Sequence, residues 1–260
     1  MEAGLVTESL ETVETPAPVT TGTLYGVGMG PGDPDYLTLK ALRVLERAPV
    51  LVHFCKRGRR GNARTIADAV VRDPTREMAL AYPYTTELHP EDPAYVAALA
   101  AFYDDAAGRL ADHLGAGRDV AILSEGDPFF YGSFMHLWRR LKDRFPVEVV
   151  PGVTGMSGCW TRAATPITWG DDVLTVLPAT LSAAVLAERL RGTDAAVVMK
   201  LGRHLPKVRA ALREAGLLER AVYVERGTMA GERVVPLAEK ADDEAPYFSM
   251  VLVPGQGRRP

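Results

Sequence analysis

The feature that most constrains this chain is a beat. Short apolar runs rich in Val, Ile, Leu and Tyr alternate with longer stretches whose apolar residues recur at helical spacing. The runs near 23–28, 49–54, 119–124 and 147–150 read as strands, and the stretches near 38–47, 62–71, 93–115 and 132–143 read as helices. Strands that alternate with helices in this way predict an α/β domain with a mainly parallel sheet. A further helix near 154–163 leads to Thr165-Pro166, where the proline disfavours helix in the residue before it, and to the polar turn Gly170-Asp171-Asp172. The beat then resumes, with strands near 173–177, 195–200, 221–225 and 247–253 and helices near 182–191 and 204–215. The reading is therefore a two-domain α/β protein: a flexible acidic arm over 1–22, an N-terminal α/β domain over 23–167 and a C-terminal α/β domain over 168–260, with a frayed end from Gly255 to Pro260.

Composition narrows what such a fold can do. The 260 residues are 47% apolar and 24% charged, and no apolar run approaches the roughly 18 residues that a membrane-spanning helix needs, so a membrane partner is not expected. The net charge is −3, and four glutamates (Glu2, Glu8, Glu11, Glu14) sit in the arm, which has no Lys, Arg or Asp. Setting those four aside from the 33 acidic residues leaves 29 against 30 basic ones, a nearly neutral body that argues against a nucleic-acid partner. Cys55 and Cys159 share no metal-ligand spacing, so no metal is expected, and such sparse cysteine use fits a reducing cytoplasm. The first residues lack the basic and apolar regions of a secretory signal, which fits the same compartment.

Three loops carry the chemistry. The first strand runs into Gly28-Met29-Gly30-Pro31-Gly32-Asp33, a tight turn at a strand's carboxyl end, where open α/β sheets bind ligands. Its third glycine comes one position too early for the dinucleotide fingerprint, and the second strand ends at His53-Phe54-Cys55-Lys56 with no acid for a ribose. A nicotinamide-dependent reductase is thereby disfavoured. The second loop, Ser124-Glu125-Gly126-Asp127-Pro128-Phe129-Phe130-Tyr131-Gly132, packs two carboxylates and aromatic rings around a glycine, which suits a ligand with hydroxyls, a flat ring and positive charge, such as an adenosyl sulfonium. The plainer alternative is that Asp127 caps the helix beginning near Gly132. The third loop, Val150-Pro151-Gly152-Val153-Thr154-Gly155, joins a strand to a helix through small residues.

Together with Leu37-Thr38 and the late Val224-Glu225-Arg226-Gly227-Thr228, these runs make the chain resemble the tetrapyrrole (precorrin) methyltransferases over about residues 22–254. Within that family, the run from Ser124 to Ser133, Lys56-Arg57-Gly58 before Gly61-Asn62-Ala63, and Met199-Lys200-Leu201-Gly202-Arg203 resemble the branch that methylates carbon 20 of precorrin-2. The resemblance implies two α/β domains, S-adenosyl-L-methionine in the cleft between them, and a homodimer. Carried over by motif position, the cofactor contacts are Pro31, Glu125, Gly126, Asp127, Phe130, Thr154 and Gly155, with Lys200 and Gly227 from the second domain. Related methylases often have Ala in place of Gly155 and Met near Lys200.

The resemblance also changes the reading of the basic stretch Lys56, Arg57, Arg59, Arg60 and Arg64. Alone it reads as a solvated face; before a polycarboxylate macrocycle it becomes a candidate substrate clamp, with Arg203 a further cation from the other domain. His53 and His136 are weak candidates for a catalytic base, since a lone histidine near a strand end is more often structural. A cobalt-bearing substrate remains an alternative, as do a non-catalytic tetrapyrrole carrier and methyltransferases of the diphthamide and ribosomal-RNA groups.

Overall fold

The computed structural model describes residues 20–84 and 92–257. Most of the arm expected over 1–22, and the last three residues of the frayed end, lie outside these. Two five-stranded sheets organise the chain. The first contains β1 (Leu24–Gly28), β2 (Val50–Lys56), β3 (Glu77–Tyr82), β4 (Val120–Ser124) and β5 (Val147–Val150), in the order β3-β2-β4-β1-β5 with every pairing parallel. Helices α1 (Leu39–Arg47) and α2 (Asn62–Ile66) cover one face, where Val44, Leu45 and Ile66 pack on Tyr25, Val27, Leu51 and Leu123. Helices α3 (Pro93–Gly115) and α4 (Phe134–Leu141) cover the other, where Leu110, Leu114, Phe134 and Leu137 meet Leu24, Val52, Val120 and Ile122. Successive strand residues point to opposite faces, so a strand buried on both sides, such as Val120-Ala121-Ile122-Leu123, reads as an unbroken apolar run.

The second sheet is mixed. It holds β6 (Leu174–Pro178), β7 (Ala195–Met199), β8 (Val222–Glu225), β9 (Arg233–Pro236) and β10 (Ser249–Val253), in the order β6-β7-β10-β8-β9, and β10 runs antiparallel to both neighbours. Helices α6 (Ala183–Arg191) and α7 (Leu205–Glu214) cover one face. The other is covered by α5 (Gly155–Arg162), whose Cys159, Met156 and Trp160 pack with Val197, Val224 and Leu252. A helix that follows the last strand of the first sheet thus supplies core to the second.

Candidate active site

Because β1 lies between β4 and β5 and all three are parallel, the loops that follow them leave one edge side by side. Their backbones touch. Met29 N–H donates to Ser124 O at 2.8 Å and Gly126 N–H to Gly30 O at 2.9 Å. A Cβ on Gly28 would stand 2.5 Å from Gly152 Cα, and one on Gly152 would stand 2.1 Å from Gly126 O, distances that no side chain tolerates. These glycines therefore serve first to let three loops close on one another. Asp127 completes the joint: Oδ1 accepts from Phe129 N–H at 2.9 Å and Oδ2 from Gly152 N–H at 3.1 Å. The capping alternative for Asp127 does not hold, since the residue before α4 is Ser133, which makes no side-chain cap bond.

Loop closure leads onto α5. Thr154 caps it, Oγ1 accepting from Ser157 N–H at 3.3 Å, and a Cβ on Gly126 would stand 3.3 Å from Gly155 N. The bare Gly126 thus keeps space before the first turn of α5, an eight-residue helix. The second half closes in from across. A Cβ on Gly155 would stand 3.2 Å from Met250 Cε of β10, and Pro31 packs against Gly158. Thr228 Oγ1 accepts from Asp33 N–H at 3.3 Å. Gly227 is packed on Cys159, whose thiol is pushed up to about 12 by burial and is therefore unreactive. Lys200 and Tyr131 both take left-handed backbone conformations (φ 58° and 55°), and Lys200 Nζ lies 4.8 Å from the Tyr131 ring centroid. Phe130 meets Tyr131 edge to face at 5.0 Å.

Glu125 differs from its neighbours in the same loop. Burial raises the pKa of its carboxyl, against the lowering influence of the Asn62 side chain and the Ala63 N–H at the start of α2. Tyr247, in the segment before β10, interacts with Glu125 and is 74% exposed. Tyr82 of β3 has its hydroxyl 2.5 Å from Ser133 Oγ, and burial beside Tyr103 and Tyr247 raises its pKa. Sequence reasoning quoted Asn62, Tyr131 and Ser133 within motifs but gave them no role, and it passed over Tyr82, Tyr103 and Tyr247. The aromatic pair Tyr247-Phe248 ahead of a strand was the available signal.

The basic stretch divides into two. Lys56, Arg57 and Arg59 are exposed at the carboxyl end of β2, where Arg59 N–H donates to Lys56 O at 3.0 Å to close a turn. Arg64 is instead buried, 4% exposed at its side chain, and donates to Glu77 Oε1 at 2.5 Å and Asp68 Oδ1 at 2.8 Å. Its charge is consumed inside the fold, which removes it from the set of cations that can meet a substrate. Arg60 shares Asp68 Oδ1 at 2.5 Å while staying half-exposed. Arg203 is exposed beyond β7. His53 is buried on β2 with Nδ1 unpaired, and burial lowers its pKa against the neighbouring Glu77 carboxylate. His136 stacks on Tyr103 at 4.3 Å on α4, and burial lowers its pKa also. Of the two histidines, His53 is buried and His136 exposed. Among the described residues no cluster of His, Cys, Asp and Glu could hold a metal ion, and no helix is long and apolar enough to cross a membrane.

Two α/β sheets joined through α5, with three glycine loops gathered at one edge, define a methylase type of architecture. The family model of Tetrapyrrole (Corrin/Porphyrin) Methylases matches residues 23–241, and the chain belongs to that family. A Sinorhizobium sp. protein named precorrin-2 C(20)-methyltransferase is 56% identical over 239 residues, covering 92% of this chain and 98% of the relative. The cobalt-precorrin-2 C(20)-methyltransferase of Salmonella typhimurium is 31% identical, over 89% of this chain and 96% of its own. Among solved structures, the uroporphyrin-III C-methyltransferase of Thermus thermophilus complexed with S-adenyl homocysteine shares the fold, at TM-score 0.61 and 23% identity over 90% of this chain and 92% of that one.

Proposed function

We propose that this chain transfers a methyl group from S-adenosyl-L-methionine to carbon 20 of precorrin-2, giving precorrin-3A in cobalamin (vitamin B12) biosynthesis. The observation that carries this reading is the end-to-end 56% identity with the Sinorhizobium sp. relative. S-adenosyl-L-methionine fits the residues present: the space kept by Gly126 before α5 and the aromatic pair Phe130 and Tyr131 suit its flat and cationic parts. In this reading Pro31, Gly126, Asp127, Phe130, Thr154 and Gly155 hold it from the first half, Lys200 and Gly227 from the second, and Glu125 through its backbone. When bound, it supplies an electrophilic methyl group on sulfur. The chain's task is positional, to keep that methyl about 3 Å from the attacking carbon and to shut out water. Lys56, Arg57 and Arg59, with Arg203 opposite, would hold the carboxylates of the macrocycle.

The same reading includes two units, 23–167 and 168–260, with α5 crossing over to cover the second sheet, a homodimer and a cytoplasmic setting. The S. typhimurium relative supports a second reading in which the substrate already carries cobalt. Incubating the protein with labelled S-adenosyl-L-methionine and precorrin-2, with and without cobalt, and weighing and mapping the product tests both. Methylation of metal-free precorrin-2 at carbon 20 is expected; preference for the cobalt complex selects the second reading, and methylation at another carbon overturns both.

A further inference from the structure

Thr228 is a β-branched residue held at φ 69°, and Arg226, two positions earlier, sits at φ 50°, so Gly227 lies between two residues that ordinarily avoid this conformation. Such strain persists only where surrounding contacts over-determine it. Here the contacts can be named. Glu232 Oε2 accepts from Thr228 N–H at 2.7 Å, and the two Glu232 oxygens accept from Nε of Arg162, the last residue of α5, at 2.8 and 2.9 Å. Thr228 Oγ1 in turn accepts from Asp33 N–H at 3.3 Å, in the loop that follows β1. We propose that Glu232 is a positioning residue for S-adenosyl-L-methionine: it holds the turn from Arg226 to Met229 in its strained form and so keeps Gly227 beside the Pro31 loop, an inference that rests on the cofactor reading above.

The two loops joined in this way seat on neighbouring residues of α5. A Cβ on Gly158 would stand 2.5 Å from Pro31 Cβ and 3.1 Å from Thr228 Cγ2, and one on Gly227 would stand 2.9 Å from Cys159 Sγ. A Cβ on Gly32 would collide with Met229 Cγ. The loop after β1, the turn between β8 and β9 and the helix α5 therefore form one packed joint between the halves. Pro31 and Gly227, a cofactor contact from each half in the reading above, both belong to it. Glu232 gathers the hydrogen bonds of this joint on the side of the second sheet, and at 21% exposure its side chain shelters the bond to Thr228 N–H from water. Without its carboxylate the Thr228 N–H loses its acceptor and the strain favours relaxation of the turn. A turn relaxed in the free protein must be re-formed when the cofactor binds, so affinity falls with the fraction of molecules that hold it, while the complex, once formed, is unchanged. The exposed cations assigned to the substrate follow β2, which β4 separates from β1, so the effect should stay with the cofactor.

The alternative is that Glu232 only staples α5 to the second sheet, in which case its loss lowers the melting temperature and leaves binding alone. Calorimetry with S-adenosyl-L-methionine on the full chain, beside steady-state kinetics with precorrin-2, separates the two. Glu232→Ala is expected to raise the Kd for S-adenosyl-L-methionine about tenfold, the low end for a hydrogen bond to a charged group, with kcat at saturating cofactor and the KM for precorrin-2 within about twofold of wild type. Glu232→Gln keeps an oxygen for Thr228 N–H and should bring the Kd back to within about threefold of wild type. A folded Ala variant with the wild-type Kd, equal losses in the Ala and Gln variants, or a fall in kcat at saturating cofactor as large as the change in affinity overturns the proposal. If Glu232→Ala does not fold, Arg162→Gln decides, since Arg162 is half-exposed and its loss only frees Glu232 from the end of α5. A Kd raised about threefold is then expected, and an unchanged Kd overturns the proposal. A wild-type protein that does not bind S-adenosyl-L-methionine would refute the cofactor reading itself; wild-type binding matched by both Glu232 variants refutes only the role of Glu232.

Discussion

The two sheets solve the same problem in different ways. In the first, every strand runs the same way, so the connections after β1, β4 and β5 gather at one edge and interlock backbone to backbone. In the second, β6, β7 and β8 run one way and β9 and β10 the other, so β10 starts at the edge where β7 and β8 end. Only isolated pieces reach the site from there: Lys200 beyond β7, the turn at Gly227 and Thr228 beyond β8, and Tyr247 before β10. The first half thus closes its three loops main chain to main chain, and the second reaches them through the side chains of Lys200, Thr228 and Tyr247 and the backbone turn at Gly227. Within the basic stretch the contrast is sharp: Arg64 is buried and paired, whereas Lys56, Arg57 and Arg59 are exposed. Each contrast predicts which substitutions break the fold and which break only the chemistry.

The largest effect is expected at Arg64, which separates the buried from the exposed part of one basic stretch. Arg64→Ala strands Glu77, 16% exposed at its side chain, beside a cavity, and should cost about 3 kcal/mol of stability, read as a shift in denaturant midpoint. The pH dependence has a definite sign. The Arg64 hydrogen bond holds the Glu77 carboxyl below its ordinary value, so Glu77 contributes stability above the unfolded-state pKa and loses it as pH falls through the depressed folded value. The acid limb of stability should therefore be shallower in Arg64→Ala than in wild type. An equal limb would mean that the pair contributes nothing.

Next comes Gly152. Gly152→Ala forces a Cβ to 2.1 Å from Gly126 O, and the loops must separate, at a cost of about 2 kcal/mol and with loss of S-adenosyl-L-methionine affinity measured by calorimetry. In the second half, Gly192 closes α6 at φ −100° with nothing within 4 Å of an added Cβ. Gly192→Ala should be neutral or slightly stabilising, by up to about 0.5 kcal/mol. Similar losses at both positions would show that the close approach of the three loops does not set Gly152 apart.

The same contrast explains what the sequence made legible. The parallel half was readable because buried strands such as Val120–Ser124 are continuous apolar runs, and α3 because Pro93 opens a long stretch of helical period that ends at Gly115. β3 escaped because Glu77-Met78-Ala79-Leu80-Ala81-Tyr82 lies at a half-exposed edge and is made of residues with little preference for strand. β9 escaped because Arg233-Val234-Val235-Pro236 is a short edge strand closed by proline. The direction of β10 depends on that missed strand, so the mixed character of the second sheet was out of reach. At the site, strand-end glycines and carboxylates stood out by spacing. The pairing of Arg64 with Glu77 joins separate elements of the chain and leaves no local pattern.

A smaller effect is expected from the exposed cations. Lys56, Arg57 and Arg59 hold no buried position, so changing all three to Gln should leave the melting temperature unmoved and raise the KM for precorrin-2 by about tenfold, with the affinity for S-adenosyl-L-methionine unchanged. High salt should narrow the gap between variant and wild type, because exposed charges are screened. A variant that keeps its KM at low salt would return the stretch to a solvated surface.

The smallest effect tests how the second half reaches across. Lys200 Nζ sits over the Tyr131 ring, and both residues hold left-handed backbones that a side chain adopts at some cost, so each half supplies one strained residue to a single contact. An exposed cation–π pair is worth about 0.5 kcal/mol, close to a twofold change in an equilibrium. In a double-mutant cycle of Lys200→Met and Tyr131→Leu, read as the dissociation constant of S-adenosyl-L-methionine, a coupling of about 0.5 kcal/mol is expected if the contact closes the cleft over the cofactor. Additive changes would show that the two side chains act separately. In that event the second half contributes here through its backbone, as the first does, and the contrast between the two sheets would be confined to their loops' directions.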